Sequence, residues 1–306
     1  MGNKVVLVGV DGSNESLKAA TWGARFAERA GWDLKVLCAY ALPSFTASSL
    51  DGGYAALDDE AIKNSALAVV NEAVQQISAP GMHVETVLEA GDPAGILVEY
   101  SKKVDLIVVG TRGGGGFADR LLGTVSSALP AHAHCPVVVV PRTKKDVTFV
   151  PPKRIVVGVD GSNTSTRSLS VAISVAEMWD AELTVFSAVP LATTTGAMSW
   201  FPSSVDRDAV MNDVRERLNE LVAEAVKDHQ VRVRKHALDG NPASLLTEFS
   251  SAVELVVVGS RGRGGFTGLL LGSTSQAVLG HAYCPVLVVP SKHSQSGDVI
   301  PVWDRN

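Results

Sequence analysis

Residues 107–124 read IVVGTRGGGGFADRLLGT. The run Leu106-Ile107-Val108-Val109 is apolar and mostly β-branched, and it has the length of a buried strand. It stops at Gly110. More glycines follow at positions 113–116, and Gly123-Thr124 then leads into a helical pattern. Glycine lets the backbone approach a ligand closely, and the free amides at a helix start attract anions. The stretch therefore predicts a buried strand, a phosphate-binding glycine loop and a helix.

The same construction occurs a second time, at residues 256–273, which read VVVGSRGRGGFTGLLLGS. Both copies follow the pattern G-x-x-G, nine residues, then G-[ST]. VGVDGSN at 8–14 recurs at 157–163, and CPV at 135–137 recurs at 284–286. The offset is 149 residues (160 minus 11 for the aspartate of VGVDGSN), and it is the same at each repeated motif. The chain is therefore one unit written twice.

Apolar strand patterns alternate with helical patterns through each copy, which predicts a parallel sheet covered on both faces. In the first copy we expect strands at 4–10, 34–39, 83–89, 104–109 and 136–140, helices at about 14–30, 58–78, 93–102 and 124–134, and a polar loop at 41–57. We expect an α/β fold with two tandem, open, parallel five-stranded sheets and helices on both faces. The predicted domains are residues 1–141 and 153–290, with a linker at 142–152 and a tail at 291–306. Ligands bind such sheets beyond the carboxyl ends of the strands, where the strand order reverses. The turns at Asp11 and Gly110 should therefore line one crevice, and Pro130 should bend or restart the last helix of the first copy.

These glycine motifs, read with GVDGS after the first strand of each copy, resemble the ATP-binding signature of the universal stress protein family over Lys4–Pro290. The resemblance implies a Rossmann-like α/β/α sandwich with one ATP site in each domain and a role in the stress response; Mg²⁺ can accompany the phosphates. It also implies that the main chain near the GVDGS aspartate and after the second strand frames the base. The predicted site of the first copy comprises Gly9, Asp11, Ala39, Gly110, Thr111, Arg112, Gly113, Gly114, Gly115, Gly116, Gly123, Thr124 and Val125. That of the second comprises Gly158, Asp160, Ala188, Gly259, Ser260, Arg261, Gly262, Arg263, Gly264, Gly265, Gly272, Ser273 and Thr274.

Several of these residues also have a structural interpretation. Asp11 and Asp160 could cap the helix or turn that follows, which is compatible with a place in the crevice. Arg112 and Arg261 could either bond a phosphate or point into solvent. Arg263 has no counterpart in the first copy, where Gly114 holds the position.

Other binding chemistries have little support in the sequence. GxxxxGK[ST] does not occur, and the one GxGxxA match, beginning at Gly113, is not followed by the spacing or acidic residue of a dinucleotide site. The histidines form no metal-ligand pattern, and no serine, histidine and acid occur in a hydrolase context. The net charge of −5, without a long basic block, argues against binding to nucleic acid. We therefore expect no catalytic residues and no metal site.

Two other functions stay open. A slow ATPase or nucleotide hydrolase would need a positioned base and a metal clamp, and the sequence shows no convincing set. A ligand-independent interaction module would not need the glycine signature that this chain carries twice. Trp200-Phe201 could cover a ligand or pack on a neighbouring surface.

Compartment and assembly follow from simpler features. The three cysteines are odd in number and form no CxxC pair, and neither a signal-peptide pattern nor a membrane-length apolar run occurs. We expect a cytoplasmic protein. The last strands, CPVVVVP and CPVLVVP, are short, apolar edge strands that need a partner. In the resembling family these strands pair, which implies an intrachain pseudo-dimer here and leaves open a further homodimer.

Overall fold

The computed structural model describes residues 3–41, 59–77, 82–113, 122–142, 149–191, 206–263 and 270–291. The chain separates into two compact units, Met1–Lys144 and Lys145–Asn306. Most of the polar loop expected at 41–57, Trp200-Phe201 and all of the tail beyond Ser291 lie outside the described residues.

The first unit alternates strands and helices as the hydrophobic pattern predicts. Burial explains the strand sequences, since β4 and β5 are apolar and buried almost throughout. Most element ends lie within one or two residues of the sequence prediction. The elements are β1 Val5–Gly9, α1 Asn14–Ala30, β2 Asp33–Tyr40, α2 Asp59–Ile77, β3 Val84–Ala90, α3 Pro93–Tyr100, β4 Leu106–Gly110, α4 Thr124–His132 and β5 Val137–Val140.

The sheet of the first unit is parallel at every strand pair, in the order β3-β2-β1-β4-β5. β1 lies between β2 and β4. From β1 the chain adds β2 and β3 on one side of the sheet, then crosses back to add β4 and β5 on the other side. The strand order therefore reverses at the carboxyl ends of β1 and β4, as expected for a ligand crevice.

Helices cover both faces of this sheet. α1 packs on β1 and β4 and contacts α2, whereas α3 contacts α4. Successive strand residues point to opposite faces: Val8 meets Gly23 of α1, and the next residue, Gly9, meets Leu97 of α3. The helices on the α3 side therefore share the crevice with the strand ends.

The second unit repeats this architecture. Its strands are all parallel, in the order β10-β9-β6-β7-β8. The elements are β6 Arg154–Gly158, α5 Asn163–Trp179, β7 Glu182–Val189, α6 Arg207–Ala225, β8 Arg232–Asp239, α7 Pro242–Phe249, β9 Leu255–Gly259, α8 Ser273–His281 and β10 Val286–Val289. The predicted α/β fold is confirmed in both units.

The sequence-based expectation that Pro130 restarts the last helix is wrong. α4 is a single helix from Thr124 to His132, with Pro130 buried inside it, and it neither breaks nor restarts. Pro130 is close to the end of the helix, so only one intrahelical bond, that to the Ser126 carbonyl, is missing. The short helix tolerates that loss.

Candidate functional site

A cavity of about 400 Å³ opens at the carboxyl ends of β1 and β4 in the first unit. Its size is in the range of small-molecule sites. All ten described residues of the predicted first site line it: Gly9, Asp11, Ala39, Gly110, Thr111, Arg112, Gly113, Gly123, Thr124 and Val125. Gly114, Gly115 and Gly116 lie outside the described residues. The turn after β1 and the turn after β4 thus meet at one cavity, as the sequence predicts.

Asp11 organises the turn after β1. Its Oδ1 accepts hydrogen bonds from the Ser13 amide at 3.1 Å and the Ser13 hydroxyl at 2.6 Å. Ser13 is the N-cap of α1, and its hydroxyl oxygen accepts from the Ser16 amide. Ser13, and not Asp11, therefore caps α1, whereas Asp11 caps the turn before it and also lines the cavity.

Gly113 is a glycine for a reason that the sequence did not reveal. A Cβ atom at this position would collide with Oδ2 of Asp11. The loop after β4 thus lies directly against the carboxylate of the turn after β1. The missing side chain of Gly113 makes room for Asp11, and any larger residue must displace either the carboxylate or the loop.

The N-terminus of α4 forms another wall of the cavity. Gly123 is its N-cap and has no side chain to accept from the first helical amides. The Gly123 amide itself donates to the Thr111 carbonyl at 2.8 Å, while Thr124 and Val125 line the cavity. An uncapped helix start at the edge of a cavity favours an anion there.

Sequence reasoning missed several residues of this cavity. Ser126 is fully buried, and its hydroxyl donates to the Thr111 carbonyl at 2.6 Å, which joins α4 to the loop. Ser275, 149 residues later, also donates to the loop of its own unit, although its acceptor is the Gly259 carbonyl, at 2.5 Å, and not that of Ser260, the counterpart of Thr111. The repetition of the serine was therefore a signal in the sequence. The apolar wall could not be predicted because its residues come from separate elements: Leu37, Pro93, Leu97 and Val109.

The second unit places Asp160 against its own loop. Oδ1 of Asp160 accepts from the Ser162 amide at 3.0 Å, and Oδ2 accepts from the Arg263 amide at 2.7 Å. A Cβ atom on Gly262 would collide with Oδ2, as in the first unit. Burial by itself would raise the pKa of Asp160, but the hydrogen bonds from Ser162, Arg263 and Ser165 outweigh it, so the pKa lies below its usual value. Asp160 is therefore held as a carboxylate.

The other predicted residues of the second unit differ in their surroundings. The Ser260 side chain is buried, and its Oγ accepts from the Ser291 amide at 2.9 Å, so it fixes the chain after β10. Arg261 Nε donates to the Leu270 carbonyl at 3.4 Å. Gly158 and Gly259 end strands, Ala188 is the penultimate residue of β7, and Gly272, Ser273 and Thr274 begin α8. Gly264 and Gly265 lie outside the described residues.

The cysteines and acidic residues suggest no further chemistry. Cys135 and Cys284 are buried, and burial raises the pKa of both thiols above the usual value. Burial, with a smaller effect from Asp11, also raises the pKa of Cys38. Among the described residues, no group of three or more histidine, cysteine, aspartate or glutamate side chains could hold a metal ion. In the same part of the chain, no helix is both long and apolar enough to cross a membrane.

Comparison with known proteins places these features in context. The model of the universal stress protein family matches residues 2–141 and, a second time, residues 151–290. A universal stress protein of Mycobacterium tuberculosis is 32% identical over 295 residues, which cover 92% of this chain and 95% of that protein. One from Mycobacterium bovis is 34% identical over 294 residues, covering 92% and 96% of the two chains. The crystal structure of a universal stress protein from Archaeoglobus fulgidus has the same fold, with a TM-score of 0.67 at 24% identity, covering 94% of this chain and 96% of that one.

Proposed function

We propose that this chain, which belongs to the universal stress protein family, binds ATP at one site in each of its two units. The observation that carries the proposal is the convergence of ten predicted residues on one cavity. They come from the ends of three strands, a glycine loop and a helix start. Strand ends border the crevice, glycines allow close approach of the backbone, and a helix start attracts phosphates.

The two halves of the cavity suit the two halves of a nucleotide. One part presents apolar side chains, among them Leu37, Pro93 and Leu97, next to Ala39 at the end of β2. Such a surface suits a flat heterocycle. The other part presents the glycine loop and the uncapped start of α4, which suit phosphates. Most of the donors are backbone amides, so affinity should survive many side-chain changes.

We expect the purified chain to retain ATP through gel filtration, at up to two molecules per chain. Denaturing the retained fraction and identifying the released ligand by mass spectrometry measures both identity and ratio. Titration of nucleotide-free protein with ATP in a calorimeter, with and without Mg²⁺, covers the case in which the ligand is lost during purification. Protein that takes up no ATP in that titration would contradict the proposal.

We further propose that the protein acts in the cytoplasm as a regulatory nucleotide-binding protein of the stress response. Fractionation of cells that express the chain, with antibody detection, tests the location. Recovery with the membrane fraction would argue against it. The cellular role is tested by comparing survival under nutrient or oxygen limitation between cells with the intact chain and cells with a variant that cannot bind ATP. Equal survival would argue against a role that depends on the nucleotide.

Assembly can be tested separately. We propose that the last strand of each unit pairs within the chain and that two chains can associate further. A fragment ending at residue 152, which retains only one last strand, is then expected to form dimers in sedimentation experiments, because its edge strand lacks the second copy. A monomeric, folded fragment would contradict the pairing. Sedimentation of the full chain at 32.1 kDa alone would contradict the homodimer.

A further inference from the structure

Within residues 110–116 and 259–265, the two glycine loops differ in charge at one position. The offset of 149 residues pairs Asp11 with Asp160 and Gly113 with Gly262, but it pairs Gly114 with Arg263. The loop of the second unit therefore carries one more positive charge than the loop of the first. Since the aspartates match, they do not cancel this difference.

Arg263 is bonded to the turn after β6 at both of its ends. Its amide donates to the carboxylate of Asp160 at 2.7 Å, and its guanidinium Nη2 donates to the Gly161 carbonyl at 3.3 Å. Nη2 and Cζ would lie only 2.8 and 3.2 Å from a Cβ atom on Gly161. The guanidinium thus lies over Gly161, the residue that follows Asp160 of the predicted site.

The first unit covers the equivalent glycine with a different kind of side chain. A Cβ atom on Gly12 would meet Cγ2 of Val69, a residue of α2, at 3.2 Å. The corresponding surface is aliphatic in one unit and cationic in the other. The contrast is observed directly in the contacts of Gly12 and Gly161, so it does not rest on the sequence difference between Gly114 and Arg263 alone.

The bond that holds the guanidinium is easily exchanged. It is long, its acceptor is a neutral carbonyl, and Arg263 is exposed. A phosphate oxygen is a stronger acceptor for a guanidinium, because both partners are then charged. A phosphate chain that extends from the glycine loop to Gly161 can therefore replace the Gly161 carbonyl as the partner of Arg263.

We propose that Arg263 is a specificity-determining residue that makes the second site discriminate nucleoside triphosphates from monophosphates more strongly than the first site does. This inference rests on the proposed ATP-binding function and adds that the two sites are inequivalent. A hydrogen bond to a charged group is strong enough that we expect the preference for ATP over AMP to be about tenfold greater at the second site.

Full-length chains with one altered site test this inference. Gly113→Val leaves the second site intact, and Gly262→Val leaves the first. Each is titrated with ATP and with AMP by calorimetry. We expect the ratio of the two affinities to be about tenfold larger in the Gly113→Val chain. Adding Arg263→Ala to that chain should reduce the ratio to the value of the first site, whereas Arg263→Lys, which keeps the charge, should restore part of it.

Arg217→Ala is the matched control in the Gly113→Val chain. Arg217 is an exposed arginine of the same unit that pairs with Asp213 on α6, so its loss changes the net charge equally without touching the loop. It should leave the ratio unchanged. Thermal unfolding followed by circular dichroism shows whether each variant is folded.

The outcomes separate the two proposals. If the unaltered chain binds no ATP, the proposed function fails and the inference fails with it. If ATP binds but the two single-site chains have equal ratios, or Arg263→Ala leaves the ratio of the second site unchanged, only the inference is overturned. If only the second site binds ATP, the inference stands when Arg263→Ala lowers the ratio of the ATP and AMP affinities and Arg217→Ala does not. It is overturned when Arg263→Ala leaves that ratio unchanged. If only the first site binds ATP, the inference is overturned.

Discussion

ATP binding by the whole chain is expected to be lost when Gly113 and Gly262 are both replaced by valine, while both units stay folded. A Cβ atom at either position collides with the carboxylate of the facing aspartate, Asp11 or Asp160. Because hydrogen bonds from Ser13 and Ser162 hold these carboxylates in place, we expect the loop to shift, so that its amides no longer lie where the phosphates would bind. Both glycines are exposed, so the strain falls on the loop and not on the core. We expect a loss of affinity of at least about 100-fold, roughly 3 kcal/mol.

Calorimetric titration with ATP measures this loss directly. Each single variant should reduce the number of sites per chain by one, and the double variant should show no heat of binding. Ala252→Val, which adds the same kind of bulk at an exposed loop residue after α7, is the matched control and should bind like the unaltered chain. Unchanged affinity in the folded double variant would contradict the position that we assign to the phosphates.

Replacing Gly23 with valine is expected to destabilise the first unit strongly, although helix propensity alone predicts a small gain. Valine is a better helix former than glycine by a few tenths of a kcal/mol. In the structure, however, even a Cβ atom on Gly23 would lie 2.5 Å from Cγ2 of Val8, in the buried contact between α1 and β1. Overpacking of that kind typically costs up to about 3 kcal/mol, so we expect a net loss of roughly 2–3 kcal/mol.

Urea denaturation followed by circular dichroism gives the free energy of unfolding, and hydrogen exchange of the β1 amides shows that the first unit is the one affected. Thr21→Val is the control, because Thr21 is on the exposed side of the same helix. It should change the stability by less than about 0.5 kcal/mol. Equal stabilities for the two variants would show that α1 can shift away from β1 without cost.

Prediction from sequence succeeded where one local pattern controls the structure. α1 begins and ends at the predicted residues, because Ser13 caps its start and Gly31, with a φ of 68°, ends it. The apolar run before Gly110 is a buried strand because its side chains are apolar throughout. The expected restart of the helix at Pro130 was wrong, because α4 continues to His132 in spite of the hydrogen bond that proline cannot donate.

The cavity itself was only partly predictable. The repeated motifs predicted residues that line the cavity, since the conformational freedom of glycine and the free amides of a helix start can be inferred without knowing the neighbouring residues. The apolar wall formed by Leu37, Pro93 and Leu97 had no such signal. An apolar residue next to a strand end looks the same in sequence whether it faces the core or a cavity, and only the packing of α3 against the sheet distinguishes the two.

The amino-acid sequence by itself determined the twofold repeat, the alternation of strands and helices and the two glycine loops, because these depend on residue types at short, regular spacing. Only the tertiary structure decided what each glycine makes room for: Asp11 at Gly113, Val8 at Gly23 and the Arg263 guanidinium at Gly161. Those contacts join residues from about 15 to more than 100 positions apart, and their distances are set by how helices and loops pack onto the sheet.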